Sequence, residues 1–143
     1  DVSLTVLKKH EQEFEGQVYS RCLYVVEEIQ RVQEAGQDLL RHDLTAFGKK
    51  MYETHTGLST LYGVSCEELD FLVDHARAMG TVLGARMMGG GFGGCTINIV
   101  SRDNVAEFIA SSAAAYRKAF VIELEAHVVQ VKAGTSVVPL TAR

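Results

Sequence analysis

The chain has 143 residues, 47% hydrophobic and 22% charged, with a net charge of −4. That length suits one domain, spanning 1–143, with a real core. The mildly negative, interspersed charge lacks the basic stripe of a nucleic-acid binder, and no run approaches the roughly 18 apolar residues of a membrane helix.

The opening Asp1-Val2-Ser3-Leu4 has no secretory pattern and no initiating Met, which fits a chain that begins inside a longer protein. Cys22, Cys66 and Cys95 are widely spaced, without a Cys-x-x-Cys pair. They read as reduced thiols of a cytoplasmic protein. Neither His42 nor His55 has a second ligand at helical spacing, so no metal site is expected.

In chain order, residues 1–15 read as helical, with Leu4, Leu7 and Glu11 on a face. Val25, Ile29 and Val32 recur at helical spacing, and Ala35-Gly36 offers that helix a stop. Asp43 can cap a second helix through Phe47 and Met51. Ser65-Cys66-Glu67-Glu68 reads as a capping box, the Ser65 hydroxyl and Glu68 carboxylate each satisfying a free backbone N–H. Loss of the Ser65 cap would cost about 1 kcal/mol. Leu69, Leu72, Val73 and Ala76 then form the buried stripe of a third helix.

At Gly80 the periodicity changes. Val82–Met88 suits a strand, Gly89–Gly94 is glycine-dominated, and Cys95–Val100 alternates as a second strand, with Cys95 read as a small buried residue. A helix follows with Val105, Phe108, Ile109, Ser112 and Tyr116 on one face. A last strand is expected around His127–Val131, before a polar tail containing the single proline, Pro139. This order gives an α+β fold, helices packed on one face of an antiparallel sheet.

The glycine segment is the most informative. Gly89, Gly91 and Gly94 match G-x-G-x-x-G in form. That dinucleotide pattern needs a helix immediately after it, and Thr96-Ile97-Asn98-Ile99-Val100 is strand-prone instead. No Gly-Lys-Ser/Thr of a Walker loop is present. What remains is strand–glycine loop–strand. Five glycines in six positions cost backbone entropy. The residues alone leave two readings open: backbone passing close to a ligand or converging on an anion, or a plain connection. Arg86 has the geometry for a phosphate contact or for an ion pair with a helix. Phe92 packs either against a partner domain or into the core. His55 reads as a site residue or as a structural histidine.

The run Gly84-Ala85-Arg86-Met87-Met88-Gly89-Gly90-Gly91-Phe92-Gly93-Gly94-Cys95 resembles the third signature motif of galactokinases, within the superfamily of galacto-, homoserine, mevalonate and phosphomevalonate kinases. Arg21 with Val25-Val26-Glu27-Glu28, Phe47-Gly48-Lys49, Glu53-Thr54-His55 and Tyr62-Gly63-Val64-Ser65-Cys66-Glu67-Glu68-Leu69-Asp70 also resemble galactokinase segments in order, so the likeness covers roughly residues 16–140. Met88 stands where the family usually has Thr or Ser, Leu23-Tyr24 where Arg-His is usual, and Thr60-Leu61 where an acidic pair is common.

The resemblance implies a ferredoxin-like C-terminal kinase domain lacking its first strand, hence a three-stranded sheet with an open edge prone to strand pairing or self-association. It implies transfer of the ATP γ-phosphoryl to galactose, with Mg2+, giving galactose 1-phosphate. Gly89, Gly90, Gly91, Phe92, Gly93 and Gly94 would wall the ATP and sugar site, with Arg86 as a phosphate contact. The catalytic groups and the main phosphate loop would belong to an N-terminal kinase domain, the chain's implied partner, so no catalytic residue is expected here and the fragment alone would be inactive. The alternatives are a kinase for a related sugar, a stand-alone ferredoxin-like ligand-binding or regulatory module, and an interaction domain using strand addition.

Overall fold

The structure, a computed structural model, describes residues 2–132 and 134; the rest of the expected polar tail lies outside the described residues. Five helices and one hairpin follow in order: α1 (Leu4–Lys9), α2 (Val18–Leu40), α3 (Leu44–Gly57), α4 (Glu67–Ala78), β1 (Val82–Met88), β2 (Cys95–Val100) and α5 (Val105–Phe120). A π-helical turn, Leu58–Tyr62, extends α3 and ends at Gly63 in the left-handed region.

Both strands have the expected bounds and pair antiparallel, from Met88↔Cys95 to Val82↔Val100, with a bulge between Val82 and Gly84. The core lies between the helices and this hairpin. Val73 and Ala76 of α4 are fully buried with Ala85 and Val82 of β1, and Tyr52, Met79, Val100 and Phe108 close around them. The stripe read from sequence on α4 therefore faces the sheet. Ser112 and Tyr116 are buried on α5, and the Tyr116 and Phe120 rings meet Phe71 of α4 in tilted and edge-to-face contacts.

Gly48 and Gly84 set the α3–β1 distance. A methyl at Gly48 would overlap the Leu83 carbonyl, and one at Gly84 would come within 2.5 Å of the Gly48 Cα. Backbone packs on backbone because neither residue has a Cβ. α3 also takes up polar groups of β1 that the hairpin does not use. The Tyr52 hydroxyl donates to the Val82 carbonyl at 3.3 Å, and the Met87 N–H donates to His55 Nδ1 at 3.2 Å. The Arg86 guanidinium folds back onto the Met87 carbonyl at 3.1 Å.

Several expectations are corrected. α2 runs through Ala35-Gly36 to Leu40. An interior glycine costs only about 1 kcal/mol, and the helix end is anchored by buried Asp38, which accepts from Arg41 and, at 2.7 Å, from Lys50 of α3. These cations hold the Asp38 carboxyl below its ordinary range, Lys50 being the larger cause. Ser65 is not the helix cap. The α4 N-cap is Cys66, because Asp70 captures the Ser65 hydroxyl at 2.5 Å. Glu68 does turn back toward its own amide and the Cys66 thiol, which lowers its pKa.

The sheet has two strands among the described residues, not three. His127–Val131 has no ladder partner, and Val128, Val129 and Val131 are exposed. Alternation makes a strand only where an edge is available to receive it. Cys95 is exposed rather than buried, since it sits at the mouth of the hairpin.

Candidate functional site

The six-residue loop Gly89–Gly94 joins β1 to β2. Gly89, Gly91, Gly93 and Gly94 have φ of +91°, +88°, +128° and +104°, and Phe92 has φ +60°. The glycine density is therefore a requirement of the path. At Gly91 it is required twice, since a Cβ there would also strike the Val64 carbonyl. The Phe92 N–H donates to that same carbonyl at 2.7 Å, which pins the crown of the loop to the segment after Gly63.

Among the described residues no other amide of Gly89–Gly94 bonds to another segment, so those N–H groups remain available to an acceptor. The Phe92 ring is 77% exposed, so it does not pack into the core. The loop carries no titratable side chain. It can offer backbone dipoles and shape, but no acid, base or nucleophile.

Arg86 lies one strand position before Met87, on the base of the loop rather than its crown. It forms no ion pair among the described residues. Its neighbour Tyr24 is buried beneath the π-helical turn, where its ring occupies the space a Gly57 Cβ would take and lies 5.4 Å from the Tyr62 ring. Burial, chiefly, pushes the Tyr24 hydroxyl up to about 12.

Sequence reasoning missed what holds the loop. His55 is 4% exposed. Because Nδ1 accepts the Met87 N–H, the proton of the neutral ring sits on Nε2, 3.1 Å from Asp70 Oδ1. Burial lowers the His55 pKa, and the opposing pull of Asp70 is smaller. Asp70 also accepts from Ser65 and, at 2.8 Å, from Ser59 in the π-helical turn. The available signal was the pairing of Glu53-Thr54-His55 with Ser65…Asp70, two segments whose polar residues need partners once buried.

A second concave region, a cleft of about 410 Å³, is lined by Arg31, Lys49, Glu53 and Arg77 among others. Its charges are already opposed, with Arg31–Glu53 at 3.6 Å and Lys49–Glu53 at 3.9 Å. Among the described residues no group of three or more His, Cys, Asp or Glu is placed to hold a metal ion, and no helix is long and apolar enough to cross a membrane.

This fold is shared with known proteins. Residues 37–118, more than half of the chain, match the family of GHMP kinases C terminal. The chain belongs to the GHMP kinase C-terminal family. This GHMP kinase domain is 38% identical over 125 residues to a galactokinase of Thermotoga maritima, covering 87% of this chain and 36% of that protein. It is 40% identical over 114 residues to a galactokinase of Clostridium perfringens, covering 80% and 30%. The crystal structure of Lactococcus lactis galactokinase complexed with galactose superposes with a TM-score of 0.81 at 31% identity, covering 85% of this chain and 32% of that one. The GHMP domain thus spans about a third of the length of the curated relatives it matches.

Proposed function

We propose that this domain is the C-terminal lobe of a galactokinase, an ATP-dependent sugar 1-kinase that transfers the γ-phosphoryl of Mg-ATP to galactose in the cytoplasm. The observation that carries the reading is the glycine crown pinned at Val64, with its remaining amides free of partners among the described residues. Phosphoryl transfer is catalysed by positioning and by neutralising charge on oxygens, and a rigid wall of backbone N–H groups supplies both without a titratable group. Arg86 has donors beyond the one spent on Met87, which leaves it able to meet a phosphate. The acid–base groups and the main phosphate cradle belong, on this reading, to an N-terminal kinase domain, and this lobe alone has no turnover.

The outer face of α2 supports such a partner. Val25, Ile29 and Val32 are 42%, 58% and 62% exposed and line a shallow groove of about 390 Å³ with Tyr24, Glu28 and Gln33. An apolar stripe of this kind marks a covered face. The galactokinase relatives are about two and a half times as long as this chain, and on this reading their remaining length supplies the covering body. Phe92, 77% exposed, is a further uncovered apolar side chain on the loop.

The test is phosphorylation of a sugar panel by the full-length protein. Galactose should be the preferred acceptor, and Gly91→Val should abolish most turnover while the domain stays folded. Preference for another sugar would reassign the substrate. Unchanged turnover in Gly91→Val would make the loop a connector. Calorimetry of this domain alone with Mg-ATP should show no tight binding; micromolar affinity would favour a self-sufficient module.

A further inference from the structure

The glycine loop is attached to the body of the domain at two places, and one pair, a buried His55 and a partly exposed Asp70, connects them. At its base, the Met87 N–H is held by His55 Nδ1 at 3.2 Å. At its crown, the Phe92 N–H is held by the Val64 carbonyl at 2.7 Å. Between the two, His55 Nε2 meets Asp70 Oδ1 at 3.1 Å, and the same oxygen accepts the hydroxyl of Ser65, the residue next to Val64. Asp70 Oδ2 takes Ser59, which fixes the carboxylate plane. The ring thus runs β1, α3, α4, Val64 segment, loop.

We propose that His55 and Asp70 are positioning residues that set the height of the glycine crown over whatever it walls. For its kinetic consequence this rests on the kinase reading above; for its structural part it does not. His55 is the only one of these groups that bonds to the strand feeding the loop, and Asp70 the only one that bonds to both His55 and the Val64 segment. Neither can reach the loop's outer face, because His55 is 4% exposed and the Asp70 oxygens are occupied. A hydrogen bond to a carboxylate is among the stronger ones. A loop of glycines has little stiffness of its own, so its position must be imposed from outside.

The experiment is residue-resolved hydrogen exchange and imidazole 15N NMR on this chain. The ring should show the Nε2–H tautomer. Ser65→Ala and Asp70→Ala should each speed exchange of the Phe92 amide roughly tenfold, the scale of one lost charge-assisted bond, while amides that open by local fraying away from the ring, such as Phe120 at the end of α5, are unchanged. His55→Ala should expose the Met87 amide, and His55→Asn, whose Oδ1 stands where Nδ1 did, should restore its protection. Unchanged Phe92 exchange in folded Ser65→Ala, or the Nδ1–H tautomer, overturns the proposal. Should Asp70→Ala fail to fold, Ser65→Ala decides alone. In the full-length kinase, Ser65→Ala should cut kcat/KM for ATP roughly tenfold while the protein stays folded at the assay temperature, as misplacement does. An active kinase indifferent to Ser65→Ala rejects the kinetic role. A wild-type protein inactive on every sugar rejects the kinase reading and leaves the exchange result standing.

Discussion

The two edges of the hairpin are treated in opposite ways. Along β1, α3 lies backbone against backbone at Gly48 and Gly84, and Tyr52, His55 and Arg86 occupy the outward polar groups of Val82 and Met87. Along β2 nothing among the described residues does the same. Since Met87 points its N–H and carbonyl away from β2, Met87↔Thr96 is a non-hydrogen-bonded pair, and Thr96 and Asn98 turn their own backbone groups toward the open side. An edge closed by side chains is finished within this domain; an edge left with bare amides awaits a strand or another chain.

The sharpest way to break this contrast is at the closed edge. Gly48→Ala should destabilise the domain by about 3 kcal/mol or more in urea unfolding, since a methyl there overpacks against backbone that cannot yield. Gly90→Ala is its control. Nothing lies within 4 Å of a Cβ at Gly90, and its φ is not in the left-handed region, so stability should change by no more than about 0.5 kcal/mol. Equal losses at the two sites would deny the crossing its special status.

The next effect is pH-dependent. Burial holds the folded His55 pKa below its ordinary 6.5, with Arg77 acting the same way and Asp70 and Asp74 opposing. The unfolded chain therefore binds the proton first, and stability falls as pH drops from about 6.5 through the lower folded value. His55→Gln should flatten the melting midpoint in that window. A midpoint that rises on acidification would mean that the folded pKa lies above the ordinary value and that Asp70, not burial, dominates. The lowered pKa values of Asp38 and Glu68 act at more acidic pH, below the ordinary carboxylate range.

The smallest effect tests the open edge. If β2 accepts strands, the domain should associate weakly at high concentration in sedimentation, and Thr96→Pro, which deletes an outward amide without touching the ladder, should abolish it. A monomer at every concentration would mean that the β2 edge is covered.

Much of this was legible in the sequence because it is local. The alternation of Cys95–Val100 and the glycine run fixed both strands and the loop between them, and Asp43 caps α3 through the Ala46 N–H as read. What escaped was set by partners distant in sequence. Ser65 has two suitors, a helix amide and a carboxylate, and only the fold brings Asp70 close enough to win. Gly36 reads as a stop until Asp38 is seen gripping Lys50. Val25, Ile29 and Val32 have the period of a buried stripe, yet periodicity says only that a face exists, not what covers it. His127–Val131 shows the same limit for strands.

The crossing at Gly48 and the ring of His55 lie on one face of α3, two helical turns apart. Each added or deleted residue swings a side chain about 100° around a helix axis. A single insertion between them would therefore leave the helix intact and the imidazole aimed elsewhere. The stretch from Gly48 to His55 works as a gauge block, and sequence length in this turn of α3 should be far less variable than the residues that fill it.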